Sequence, residues 1–265
     1  MRNNFVLIRY ILLVCFLIVN IIPIHASNCE NDSIVLSSES STLCVSSDAH
    51  KLKWPEVAVP LTLVGVSAFC VENGWLKDQC IKVQDAISAK SHKTKVDDYL
   101  QYSPMVVAYG LGFCGVKTQH SLLNRTILLA MSYATMGIVV NTMKYTIKEK
   151  RPDCNARNSF PSGHTATAFM GAQYLYEEYK DVSPWIGYAG YAVAATTAYL
   201  RIYNNRHYLN DVVAGACLGV LSTKFAYWLY PKIFKKSKCG NDLNLVVAPY
   251  YSEQGSLGVS LAHAF

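Results

Sequence analysis

The stretch Asn158-Ser159-Phe160-Pro161-Ser162-Gly163-His164 reads as a polar turn that opens a helix, with a histidine in the first turn. Pro161 fixes the approach of the backbone, Ser162 is a favourable N-cap, and Gly163 lets another group come close to the main chain. Unpaired amides and the positive end of the helix dipole make such a start a ready anion site. Lys144 and Arg151 precede it, and Arg201 and His207 follow. Cations on both sides of an anion-binding turn point to phosphate.

Each flanking group is ambiguous by itself. Lys144 and Arg151 stand seven apart and share one side if a helix continues to Arg151, although Pro152 disfavours helix there. Together they could hold two oxygens of a phosphoryl group, lysine as a point charge and arginine as a fork. Taken alone, they read more readily as the basic flank of a membrane helix. His207 and Asp211 are four apart, so the carboxylate can bond one ring nitrogen, fix the tautomer and stabilise a cation formed on attack. Such a pair is also a common capping contact. Arg201, six residues before His207, could reach a third oxygen.

Jointly, Lys144-x6-Arg151-Pro152, Pro161-Ser162-Gly163-His164 and Arg201-x5-His207-x3-Asp211 resemble the three signature blocks of the type 2 phosphatidic acid phosphatase (PAP2) and vanadium haloperoxidase superfamily. Order and internal spacing agree over roughly residues 99–233. One departure is Leu200, where the fuller pattern often has serine. The run from Arg201 to Asp211 also looks like exported phosphatases of Bacteroidetes-type bacteria, some of which act on lipid A. The resemblance implies an all-α bundle with His207 as nucleophile, Asp211 orienting it, and His164 protonating the leaving oxygen and later activating water. It assigns the phosphate oxygens to Lys144, Arg151, Ser162, the Gly163 amide and Arg201, with no cofactor and no metal. Basic side chains and a helix N-terminus then supply the positive field.

The elements that must position these groups are apolar. Of 265 residues, 51% are hydrophobic and 16% charged, with a net charge of +6 whose basic residues lie in separate clusters, unlike a nucleic-acid footprint. Residues 1–27 read as a signal peptide, with Arg2 and Arg9 ahead of an apolar run; a retained anchor is the rival reading. Residues 28–98 form an N-terminal exported segment: a polar stretch over 28–50, a short apolar helix over 57–71 and an amphipathic helix within 72–98. The uncharged run Val57–Val71 has only 15 residues, which predicts a segment that is re-entrant, interfacial or packed on the bundle. Tyr99–Val116, Thr126–Met143 and Val182–Leu200 are uncharged runs of 18, 18 and 19 residues. With Asn158–Tyr176 and a last helix from Asp211 to about Tyr230, they predict about five or six apolar helices in the phosphatase core, 99–233, membrane-embedded. Gly215 and Gly219 have the small-xxx-small spacing that permits close helix contact.

Lys232, Lys235, Lys236 and Lys238 follow the last helix, and the positive-inside tendency puts that end in the cytoplasm. The expected location is the inner membrane with the site toward the periplasm. Tyr174, Tyr176, Tyr199 and Tyr203 are candidates for an interfacial belt. The tail, 234–265, reads as a basic linker and two strands around a turn. Among nine cysteines, Cys29 with Cys44 and Cys70 with Cys80 are candidate pairs, while Cys114 and Cys217 read as packing residues. No Cys/His spacing suggests a metal site. Functions compatible with this pattern are a lipid phosphatase of the envelope, a soluble periplasmic acid phosphatase, a vanadium haloperoxidase and a silent scaffold. The full set of Lys, Arg, His and Asp opposes the last.

Overall fold

The structure is a computed structural model that describes residues 52–88, 94–234 and the backbone of 244–251 and 257–264. The signal peptide, the polar segment 28–50, the Cys29–Cys44 pair and the basic linker at Lys235–Lys238 lie outside the described residues. Two units are present, Met1–Tyr230 and Pro231–Phe265. In the second, the backbone of β1 (Asn244–Tyr251) pairs antiparallel with β2 (Leu257–Ala264), Asn244 opposite Ala264.

The first unit is built from helices: α1 (Trp54–Glu72), α2 (Gly74–Ile87), α3 (Val96–Leu100), α4 (Ser103–Phe113), α5 (Leu122–Ile147), α6 (Gly163–Tyr179), α7 (Pro184–Tyr203) and α8, which begins at Leu209 and ends at Ile233. Prolines open α1, α4 and α7, where the missing N–H has no intrahelical partner to lose. Asn73 separates α1 from α2: its amide closes α1 on the Phe69 carbonyl, and its side chain caps Leu76. Lys148, with φ 51°, ends α5.

Helix α6 is the axis. Thirteen of its 17 residues are buried, as expected for a helix surrounded by others. Near its first turns, Val64, Met105, Met136, Val140, Met143, Phe160, Met170 and Leu218 form the largest apolar cluster. At its other end the Tyr174 hydroxyl donates to the Arg125 carbonyl, Tyr179 to that of Ala108, and Tyr227 to Glu178, which also bonds His120.

Among the described residues, three helices, α1, α5 and α8, are long and apolar enough to cross a membrane. Their outward residues include Val59, Leu63, Val66, Phe69, Leu123 and Ile138, all exposed, a surface that suits lipid. The expectation of a short 57–71 segment is corrected: three residues are recruited before Val57 and one after Val71, so α1 reaches 19 residues. The run Tyr99–Val116 behaves in the opposite way, because a turn at Gln101-Tyr102 leaves α4 with only 11 residues.

Polar contacts fix the direction of α1. Glu56 at its start pairs with Lys224, 2.7 Å away and deep in α8. Just past its end, Lys77 pairs with Glu149, beyond the end of α5. Lys224, the one charge inside the apolar part of α8, is thereby matched by a carboxylate.

The expectation of a Cys70–Cys80 pair and those for Cys114 and Tyr174 are corrected. Cys70 and Cys80 are buried and free, and Cys114 is exposed at the end of α4; Cys217 packs against the central cluster. Tyr174 is fully buried because its hydroxyl has a backbone partner, so it belongs to the core. Tyr199 is exposed and stacks on Tyr203.

Candidate active site

The site lies where the first turn of α6 meets the first turn of α8. Ser162 occupies the N-cap of α6, but its side chain makes no cap bond; its buried hydroxyl accepts from Thr165 Oγ1 at 3.0 Å. The Ser162 N–H donates to the Asp211 carbonyl, also at 3.0 Å, tying the turn to α8. The Phe160–Pro161 bond is cis. Gly215 and Gly219 make the contact possible: a Cβ on Gly215 would stand 2.5 Å from the Ser162 carbonyl oxygen, and one on Gly219 2.3 Å from that of Ala166. A Cβ on Gly163 would meet nothing within 4 Å.

His207 follows the end of α7, where Asn204 and Arg206 bond back to the Leu200 and Arg201 carbonyls. Its ring is 1% exposed. Nδ1 lies 3.4 Å from Asp211 Oδ2 and 3.4 Å from Ser159 Oγ. Asp211 sits in the first turn of α8, and its Oδ2 accepts from the Tyr208 N–H at 3.0 Å, the return half of a capping box. Ser159 Oγ donates to the same oxygen. A proton on Nδ1 therefore faces a carboxylate and leaves the Nε2 lone pair available. Burial, then the charges of Arg201, Lys144, Arg151 and His164, hold His207 well below the ordinary histidine range. It is neutral at physiological pH, the form in which imidazole is a nucleophile.

The cations arrive by separate routes. Lys144 is in the last turn of α5 and donates to the Asn158 carbonyl at 2.8 Å. Arg151 is not on that helix, which ends at Ile147; the following loop folds back through Arg151 N–H to Ala156 O, and Arg151 Nε donates to Asn158 Oδ1 at 2.8 Å. Asn158 thus clamps both. Arg201, in the last turn of α7, is 5% exposed and donates through Nη1 to Asp97 Oδ2 at 2.6 Å, while its Nε is buried with no partner among the described residues. Asn204 bonds the other Asp97 oxygen at 3.0 Å.

His164 projects from the first turn of α6, and its Nε2 lies 2.9 Å from Asp98 Oδ1, an oxygen also 3.5 Å from Arg201 Nη1. Burial and Arg201 lower the His164 pKa, while Asp98 and Asp97 oppose the shift.

The eight residues singled out from the sequence, Lys144, Arg151, Ser162, Gly163, His164, Arg201, His207 and Asp211, therefore converge. The sequence reading missed Asp97, Asp98, Asn158, Ser159 and Glu149. Asn158 and Ser159 stood at the edge of the polar turn, so their position was the available signal; the acids of α3 had none, since surface helices commonly carry such pairs.

Residues 125–235 match the model of the PAP2 superfamily. Over 232 residues the chain is 33% identical to a lipid A 1-phosphatase of Porphyromonas gingivalis, covering 81% of this chain and 49% of that protein. The chain thus spans about half the length of that relative. A shorter stretch of 76 residues is 38% identical to the bacitracin transport permease protein BcrC of Bacillus licheniformis, 29% of this chain and 36% of that one. Among solved structures, a transmembrane PAP2-type phosphatidylglycerolphosphate phosphatase from Bacillus subtilis shares the fold with a TM-score of 0.54, covering 69% of this chain and all of that one at 16% identity. This chain is a membrane protein with a PAP2 superfamily domain, and that domain holds all eight converging residues.

Proposed function

We propose that this protein is a phosphatase of a cell-envelope lipid, cleaving a phosphomonoester or pyrophosphate bond through a phosphohistidine. The observation that carries the reading is a buried His207 whose Nδ1 lies 3.4 Å from Asp211 Oδ2, with Arg201, Lys144, Arg151 and His164 near enough to lower its pKa after burial itself. His207 Nε2 attacks phosphorus, the bond to the leaving oxygen breaks, and His164 supplies that oxygen with a proton. Asp211 stabilises the imidazolium as its charge develops. Water, giving its proton to His164, then attacks the phosphohistidine; the P–N bond breaks and His207 is restored. Lys144, Arg151, Arg201, the Ser162 hydroxyl and the Gly163 amide hold the phosphoryl oxygens, so positive charge comes from the protein without a metal.

The substrate is a lipid phosphate whose tail stays in the bilayer while its headgroup reaches the site. Resemblance to a lipid A 1-phosphatase supports lipid A as the first substrate to try. The lysines after α8 support an inner-membrane protein with its site toward the periplasm. The test is phosphate release by purified protein from a panel of lipid A, undecaprenyl pyrophosphate, phosphatidate and phosphatidylglycerophosphate. The reading expects release from at least one, lost in both His207→Ala and His164→Ala. Activity retained in both variants overturns the mechanism.

A further inference from the structure

The proposed mechanism uses one oxygen of Asp211. Oδ2 receives Ser159, Tyr208 and the His207 ring, whereas Oδ1 is buried with no N–H or hydroxyl donor among the described residues. A buried carboxylate oxygen left without a donor is costly. A second acid is buried nearby: Glu149, between Lys144 and Arg151 in the chain and only 6% exposed. Its carboxyl lies within hydrogen-bond reach of the Asp211 carboxyl.

Glu149 is held from several elements. Lys77 of α2 donates to Oε1, and Asn210 Nδ2 of α8 approaches Oε2 at 3.4 Å. Its own carbonyl accepts from the Ser159 N–H at 3.0 Å, so the segment that supplies Glu149 also supports the serine on Oδ2. The Lys77 ammonium sits 3.3 Å from the centroid of the Tyr208 ring, which fixes it over the start of α8.

Two carboxyls in contact out of water cannot both stay ionised, and the one with fewer donors keeps the proton. Asp211 has three donors on one oxygen. We infer that Glu149 is a positioning residue for the reaction: as a neutral acid it donates its proton to Asp211 Oδ1, while Lys77 holds its other oxygen. A single negative charge is then shared by the pair, and the Asp211 carboxylate is locked at both ends in the plane that faces His207. Burial and the Asp211 charge push Glu149 up to about 8, with Lys77 pulling the other way. Below that pH the lock is closed. Above it Glu149 ionises, the bond to Oδ1 is lost, and two like charges repel next to the nucleophile.

The kinetic arm rests on the phosphatase reading and uses full-length protein in detergent. Wild type is expected to show kcat/KM falling as pH rises through about 8. Glu149→Gln, which still offers an N–H to Oδ1, removes that limb and loses no more than a few-fold at neutral pH. Glu149→Ala, which offers nothing, loses about tenfold to a hundredfold in kcat. Lys77→Met removes the charge that favours ionised Glu149, and moves the limb to higher pH. A limb unchanged in Glu149→Gln overturns the inference, as does Glu149→Ala with wild-type kcat. The second arm needs no substrate: infrared difference spectra should contain a protonated-carboxyl stretch that titrates near pH 8 and is missing in Glu149→Gln. Its absence from wild type overturns the inference. If no lipid is hydrolysed, the phosphatase reading fails and this band decides the protonation of Glu149 separately.

Discussion

Gly219→Ala is the substitution whose effect follows most directly from the packing of α6 on α8. The added Cβ would stand 2.3 Å from the Ala166 carbonyl oxygen and 2.8 Å from the Met170 nitrogen. Both neighbours are backbone of a helix packed on all sides, so no side chain can rotate away. The helices must part by about 1 Å, and overpacking of this kind costs about 1–3 kcal/mol. Function should suffer more than stability. The first turn of α6 carries Ser162, Gly163 and His164, while α8 carries Asp211 and anchors His207; at the site level the Ser162 N–H donates to the Asp211 carbonyl. A displacement of about 1 Å between a nucleophile and the groups that hold its target can cost about 100-fold in rate. The expected result is a melting temperature several degrees lower in detergent and a kcat reduced by one to two orders of magnitude, with a smaller change in KM. Gly137→Ala is the control, since a Cβ there meets nothing and alanine favours helix. Wild-type kcat in Gly219→Ala, or equal losses in both variants, would refute the argument that this contact sets the site.

Two further predictions concern the acid on α3 and the orientation of the bundle. Asp98 bonds both His164 and Arg201, so an incoming anion must displace it; Asp98→Asn should make inorganic phosphate about two- to fivefold more inhibitory, and weaker inhibition counts against a competing carboxylate. Cys154 is exposed in the loop that carries Arg151, and Cys114 is exposed at the far end of α4. In variants retaining one of these cysteines, a membrane-impermeant maleimide should label Cys154 in right-side-out vesicles and Cys114 in inside-out ones. The reverse pattern would turn the proposed orientation over.

The parts of the site that were legible in the sequence are local. Ser162, Gly163 and His164 belong to one turn, and His207 with Asp211 span four residues, so ordinary turn and helix geometry fixes their relations before any tertiary contact is known. Lys144 and Arg151 converge for a reason different from the expected one: α5 stops at Ile147, and Asn158 gathers both cations. Asp97 and Asp98 were illegible because their partner Arg201 lies about a hundred residues on, and nothing in Asp-Asp distinguishes a buried counter-charge from a surface pair. Glu149 was hidden in the basic run Lys148-Glu149-Lys150-Arg151, where it reads as solvated; only the fold removes it from water. Apolar run length misled in both directions: α1 extended past its uncharged run, while a turn cut Tyr99–Val116 short.

The pairing of Glu56 with Lys224 has a consequence for compartments. Lys224 lies about 20 Å along α8 from Asp211, so Glu56 anchors the start of α1 at the end of the bundle remote from the site. The end of α1 reaches the site level, where Lys77 meets Glu149. Helices α4 to α8 then alternate in direction, and α8 leads away from the site. Parity therefore binds two properties that look independent: the face at which Trp54 enters and the face at which phosphate would be released are opposite. Whatever machinery inserts α1 would also choose the compartment that the proposed site faces.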